Sequence, residues 1–275
     1  MKKPPRKAGG RSGKPAPSSD RQDRRKPSGR QDRREPSPRQ EHRKPLFSRE
    51  VAVLYEDDAV MAVDKPPGLP AVPIEGATSP SAWSVVSAAL RLSRQRAFVV
   101  HRIDRFSSGI LLFAKTEADR DTLVRQFLAH TPVREYLAVV RGRLAAGEGT
   151  LVHHFRREGM FQKLRPESDP TAARAELRYS VERPLLGASL VRLRLVTGLQ
   201  NQIRAQFSAI GHPVIGDRKY HPAESNEGLI NRVALHAVRL GFVHPRSGKS
   251  VSIESRLPAD FQRLVQKLSP PARAR

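Results

Sequence analysis

The run Ile110-Leu111-Leu112-Phe113-Ala114 constrains the fold more than any other stretch. It has the length and composition of a buried strand, so the chain must build an interior around it. A second short apolar run, Ala97-Phe98-Val99-Val100, lies just upstream. Between the two sits His101-Arg102-Ile103-Asp104-Arg105-Phe106, followed by the small, bendable Ser107-Ser108-Gly109. Asp104 is thus carried on a loop between two core strands, with Arg102 two residues before it and Arg105 one after. A loop on a rigid scaffold is where working side chains tend to be placed. The same residues also suit a surface turn with an Arg–Asp pair, and the stretch alone leaves both readings open.

The 275 residues could form one large domain or two small ones. Residues 1–45 are Lys, Arg, Pro, Ser, Gly, Gln and Asp, with almost no large apolar side chain. Such a segment cannot bury enough surface to offset its ordering entropy and is expected to be a disordered basic arm. Its RQDRRKPS unit returns as RQDRREPS, a low-complexity repeat too short for a solenoid. The domain should begin at 46 and run to 270. The net charge of +23 concerns partners rather than fold, and it favours a polyanion, most often nucleic acid. The arm would attract phosphate, or it would serve only as a solubilising tail. There is no cysteine, so disulfides and thiolate metal sites are excluded. No apolar run approaches the roughly 18 residues that span a bilayer, and no secretory signal opens the chain. A soluble, cytoplasmic protein is the simplest expectation.

Periodicity predicts strands at 51–55 and 60–63, then an extended proline loop at 64–70. Helices are expected at 81–95, at 117–130 with Thr116 as cap, and at 200–210. Further strands are expected at 133–141, 150–155, 173–182, 189–197, 233–240 and 251–255. A closing helix at 258–268 would carry Pro258 at its first position. Hairpin-like strands with few helices argue an α+β fold, a largely antiparallel mixed sheet flanked by helices in one domain.

Polar side chains in costly places are the candidates for chemistry. Arg204 falls on the apolar face of the helix at 200–210, near Ile203, Phe207 and Ile210. Such an arginine either snorkels to water or pairs with a carboxylate, and Asp104 is a candidate partner. Tyr136 sits mid-strand, as a core residue with a satisfied hydroxyl or as a ring that stacks on a base. The histidines lack a ligand spacing, so no metal is assigned. Gly109, Gly211 and Gly216 read as turn residues, since no phosphate-binding glycine motif contains them.

Taken together, these stretches carry a resemblance. His101–Gly109 followed by Leu111–Thr116 is similar to the HRLD-x-x-[TS]SG motif of the RluA-type pseudouridine synthases. Asp64-Lys65-Pro66-Pro67-Gly68 resembles that family's N-K-P-x-G loop, and Arg134-Glu135-Tyr136 its K-x-Y strand. Thr197-Gly198-Leu199-Gln200-Asn201-Gln202-Ile203-Arg204 resembles T-G-R-x-H-Q-I-R, and the segment from Gly211 to Asp217 follows it as in the family. Leu235-His236-Ala237 and His244-Pro245 match the final segment. The resemblance spans about 51–261, and the ordered set is far more specific than any one motif.

It implies an RNA pseudouridine synthase acting on rRNA or tRNA as a monomer, with no cofactor. Asp104 matches the nucleophilic aspartate and Arg204 the arginine that pairs with it. Tyr136 matches the tyrosine that stacks on uracil and can take the C5 proton. Arg102 matches the position that enters the RNA stack when the target base leaves it. His101, Arg105, Lys65 and Asn201 are the further expected RNA contacts. Two departures stand out, Leu199 and Asn201 in place of the family's arginine and histidine. The competing readings are a non-catalytic RNA-binding or ribosome-assembly protein on the same scaffold, and a glycoside or nucleoside hydrolase. The hydrolase needs a second carboxylate, for which Asp64 and Asp217 are available in loops.

Overall fold

The structure, a computed structural model, describes residues 50–221 and 228–271. The expected arm at 1–45 lies outside them. The elements are β1 (Ala52–Glu56), β2 (Val60–Lys65), α1 (Ala82–Leu92), β3 (Phe98–Val99), β4 (Ser108–Ala114), α2 (Glu117–Leu128) and β5 (Val133–Arg141). There follow β6 (Glu148–Glu158), β7 (Phe161–Arg165), β8 (Ala173–Leu185), β9 (Ala188–Leu195), α3 (Gln202–Ala209), β10 (Leu235–Val243), β11 (Ser250–Glu254) and α4 (Ala259–Leu268).

Among the described residues the strands form one sheet, ordered β1-β2-β4-β10-β5-β9-β8-β6-β7, with β11 on β10 and β3 on β4. β4 and β10 run parallel, and the other pairings are antiparallel. The fold is therefore α+β with a mixed, largely antiparallel sheet, as the strand pattern predicts.

β4 is buried along its whole length. Ile110, Leu112 and Ala114 pack with Leu123 of α2, while Leu111 and Phe113 pack with Ala82, Val86 and Leu90 of α1. Successive side chains leave a strand on opposite faces, so a run without alternation needs cover on both. Each large side chain so buried contributes about 1.5–3 kcal/mol. Both helices begin on side-chain caps. Ser81 accepts the Ser84 N–H at 3.1 Å and Thr116 accepts the Asp119 N–H at 3.2 Å, each worth about 1 kcal/mol. A larger cluster joins β5, β8 and β9 to Ile203 and Phe207 of α3 and Phe261 and Leu264 of α4. Among the described residues no helix is long and apolar enough to cross a membrane.

Several expectations are corrected. Asp64 and Lys65 belong to β2 rather than to a loop, because they pair with Ile110 and Gly109 of β4. Gly109 is a strand residue, not a turn residue. Its φ is 108°, and a Cβ there would collide with the Ala237 carbonyl, because β4 lies parallel against β10. The helix expected from 200 starts at Gln202, since Asn201 adopts φ 56° and breaks the helical path. Pro258 caps α4 from outside, with ψ 151°, instead of opening it. β6 is longer than expected, and β7 was not expected at all.

Candidate active site

The Asp104 loop is held on several sides. The Ser107 N–H donates to the Asp104 carbonyl at 3.2 Å, and the Gly68 N–H to the Arg105 carbonyl at 2.8 Å. Arg105 Nε returns a bond to the Gly68 carbonyl at 2.9 Å. Beneath the loop lies Lys65, fully buried. Its Nζ donates to the carbonyls of Pro66, Leu69, Arg105 and Ser107, at 2.7 to 3.1 Å. Burial pushes its pKa down to about 7, against the pull of Asp104 and Asp64. Lys65 therefore clamps the two loops together, and the expectation that it contacts RNA is corrected: no phosphate can reach it.

Arg204 rises from α3 towards this loop. Its Nη1 donates to Asp104 Oδ2 at 3.0 Å and to Asn201 Oδ1 at 2.8 Å. Its Nε and Nη2 both bond to the Asp217 carboxylate at 2.7 Å. Asp217 is almost wholly buried, and its Oδ1 also accepts the N–H groups of Lys219 and Tyr220. Tyr220 lies 5.5 Å from the guanidinium carbon, measured to the ring centre. The arginine is thus fixed from behind by a two-pronged ion pair and offers one N–H edge to Asp104. Planar guanidinium suits this division; a lysine would not. Sequence reasoning paired Arg204 with Asp104 but missed Asp217 as the anchor. Asn201, expected as an RNA contact, here turns its side-chain oxygen onto Arg204. The left-handed backbone that asparagine tolerates sets that direction.

The pair forms part of a cavity of about 500 Å³. That is room for a nucleotide-sized ligand. Tyr136 lines it from the middle of β5, and burial raises its phenol to about 12, so the hydroxyl is protonated at neutral pH. Arg102 and Arg105 are exposed, with Arg102 on the cavity wall. His101 lines the cavity too, but its Nε2 accepts the Leu112 N–H at 3.1 Å and its ring stacks on Phe127 at 4.6 Å. Burial and then Arg134 push its pKa down to about 3. It is a neutral residue of the cavity wall. Leu199, one of the two departures, packs on the small cluster of Phe155, Ala175 and Ala205.

A carboxylate braced by a buried guanidinium, facing a cavity beside a protonated tyrosine, can attack an electrophilic carbon. The sequence pattern of the family described as RNA pseudouridylate synthase matches residues 59–209. The chain belongs to that family.

This synthase is 35% identical over 228 residues to the ribosomal large subunit pseudouridine synthase D of Zymomonas mobilis, covering 78% of this chain and 72% of that one. It is 34% identical to an uncharacterised RNA pseudouridine synthase of Bacillus subtilis, covering 80% and 73%. Among solved structures, human RNA pseudouridylate synthase domain containing 4 superposes with a TM-score of 0.66 at 18% identity, over 79% of this synthase and 92% of that chain. The second human neighbour, domain containing 1, gives 0.63 at 22% identity, over 76% and 84%. The two human structures agree on the fold. The synthase is an isomerase that converts uridine to pseudouridine in RNA.

Proposed function

We propose that Asp104 is the nucleophile of this isomerisation. The observation that carries the assignment is the 3.0 Å contact from Arg204 to its carboxylate at the cavity wall. In this reading the target uridine leaves the RNA stack, because no side chain reaches its ribose inside one. The carboxylate attacks C1′, and the C1′–N1 bond breaks with its electron pair going to uracil. The detached base turns, C5 attacks C1′, and the carboxylate is expelled. The C5 proton passes to that carboxylate and N1 takes one up, so the product is an isomer. Tyr136 acts as the stacking platform; its protonated phenol is not a base in the resting enzyme. Arg102 and Arg105, at the exposed surface, meet the RNA.

Large-subunit ribosomal RNA is the substrate we infer, because several relatives are named for it, and the cytoplasm is the compartment that goes with it. A monomer suffices, since every group of the site comes from one chain. The test is Asp104→Asn. Pseudouridine formation on 23S-type rRNA should fall at least about a thousandfold, while RNA affinity stays within about twofold because the variant leaves the cationic surface intact. Activity retained in the variant would remove the nucleophile assignment. Equal activity of the unaltered enzyme on tRNA would broaden the substrate.

A further inference from the structure

Arg134 is a buried charged group of the cavity wall that the steps above leave unused. It is nine-tenths buried and stands on β5 two residues before Tyr136, on the same face of the strand. Its Nη2 donates to the carbonyls of Val196 and Thr197, both at 3.3 Å. Its Nε is buried without a hydrogen-bond partner. The Phe127 ring centre lies 5.9 Å from the guanidinium carbon. Gly198 backs onto it, for a Cβ there would stand 2.6 Å from Nη1. Burial lowers the pKa of Arg134, and the one group that opposes this is Tyr136, not a carboxylate. Arg204 and Arg232 are also buried, yet each is bound to an aspartate. A buried cation held only by carbonyls and an aromatic face keeps capacity for an anion that comes and goes.

We propose that Arg134 holds the uracil while it is detached from ribose, donating an N–H to a carbonyl oxygen of the uracil anion. The proposal rests on the displacement assigned to Asp104. When the C1′–N1 bond breaks, its electron pair spreads from N1 onto O2 and O4, and a fixed cation in the wall stabilises that charge. The same bond keeps the free base in place while it turns, so that C5 rather than water meets C1′. A phosphate is the less fitting anion. The backbone of the RNA stays at the surface, where Arg102 and Arg105 are exposed, whereas Arg134 lies in the wall beside the stacking tyrosine.

The experiment is single-turnover reaction of Arg134→Gln and Arg134→Lys on RNA carrying labelled uracil, with pseudouridine, free uracil and abasic RNA all counted. In Arg134→Gln, turnover should slow about 100-fold, and part of the reacted uridine should end as free uracil and abasic RNA. Arg134→Lys keeps the charge and should recover most of the retention of uracil. Normal turnover without free uracil in Arg134→Gln would overturn the proposal. So would equal losses in both variants with no free uracil, which mark a structural role. Weakened RNA affinity with a shallower salt slope and unchanged turnover would assign Arg134 to phosphate instead and also overturn it. Failure of the Asp104 assignment is separate, because it shows as activity retained in Asp104→Asn.

Discussion

Arg204 serves two carboxylates with one planar group, and the division decides what each can do. Asp217 takes Nε and Nη2 and is sealed from water, whereas Asp104 takes one edge of Nη1 and keeps 21% of its side chain exposed. The first is an anchor and the second is free to meet a ligand. Asp217→Asn should therefore remove the two-pronged counter-ion of a buried guanidinium and leave it only the single contact to Asp104, at a cost of about 3–5 kcal/mol. Chemical denaturation would read that loss. Pseudouridine formation should drop about 100-fold at temperatures where the variant remains folded, because Arg204 no longer holds its position. An active, stable variant would show that Asn201 and Asp104 alone fix the arginine. Arg204 was legible in the sequence because it is polar where polarity is costly, and Asp104 because it sits on a loop between two core strands within reach of pairing with it. Asp217 was not, since a carboxylate 13 residues beyond Arg204, in a glycine-flanked loop, also reads as turn chemistry. Lys65 was misread for the opposite reason: charge suggests solvent, and only the fold shows four carbonyls gathered around it.

The start of α2 is tied to the turn between β10 and β11. Arg246 Nη2 donates to Asp119 Oδ2 at 2.7 Å and its Nε to Oδ1 at 3.1 Å, while Thr116 Oγ1 donates to Oδ2 at 2.6 Å. His244, in the same turn, reaches Asp57 in the turn between β1 and β2 at 3.0 Å. The Arg246 bond holds the Asp119 carboxyl below its ordinary value, against burial, with Thr116 adding to it. Unfolded, that carboxyl titrates near its usual value of about 3.9. Its contribution is thus complete above about pH 4 and is lost as the pH falls through the lower folded value. Asp119→Asn should cost about 1 kcal/mol at pH 7, since Arg246 is half exposed and screened. Urea unfolding at pH 7 and again near pH 2 should show the two proteins converging in acid; an equal gap at both would assign the loss to packing rather than charge. The helices were legible from their 3.6-residue spacing, and the cap of α2 from Thr116; the Ser81 cap of α1 was not foreseen. The β6–β7 hairpin was harder to see. Its strands carry Arg156, Arg157, Lys163 and Arg165 at the sheet edge, without a clean alternation. Its two-residue turn is Gly159-Met160, with φ 58° at the glycine as a type II′ turn requires, and that pair is a weaker signal than Asn-Gly.

Across the molecule the antiparallel pairs between neighbours in sequence were legible as hairpins, but the strand order was not. It depends on β10 entering between β4 and β5, a contact across about a hundred residues or more that no local pattern encodes. Net charge, by contrast, is read directly from the composition. About half of the excess of +23 falls in the first 45 residues, where Lys and Arg far outnumber Asp and Glu, and the rest is spread over the remainder of the chain. The chemistry lies elsewhere, in groups between Lys65 and Asp217. Removing residues 1–45 should therefore separate binding from catalysis. Each phosphate contact on single-stranded RNA adds roughly 0.7 to the slope of log affinity against log salt. The shortened chain should bind RNA more weakly at low salt, with a shallower slope, and the two chains should approach one another as salt screens the arm. At saturating RNA both should form pseudouridine at the same rate, since the Asp104–Arg204–Asp217 constellation is intact in each. An unchanged slope would mean that the arm does not touch phosphate and that the domain accounts for the whole electrostatic attraction.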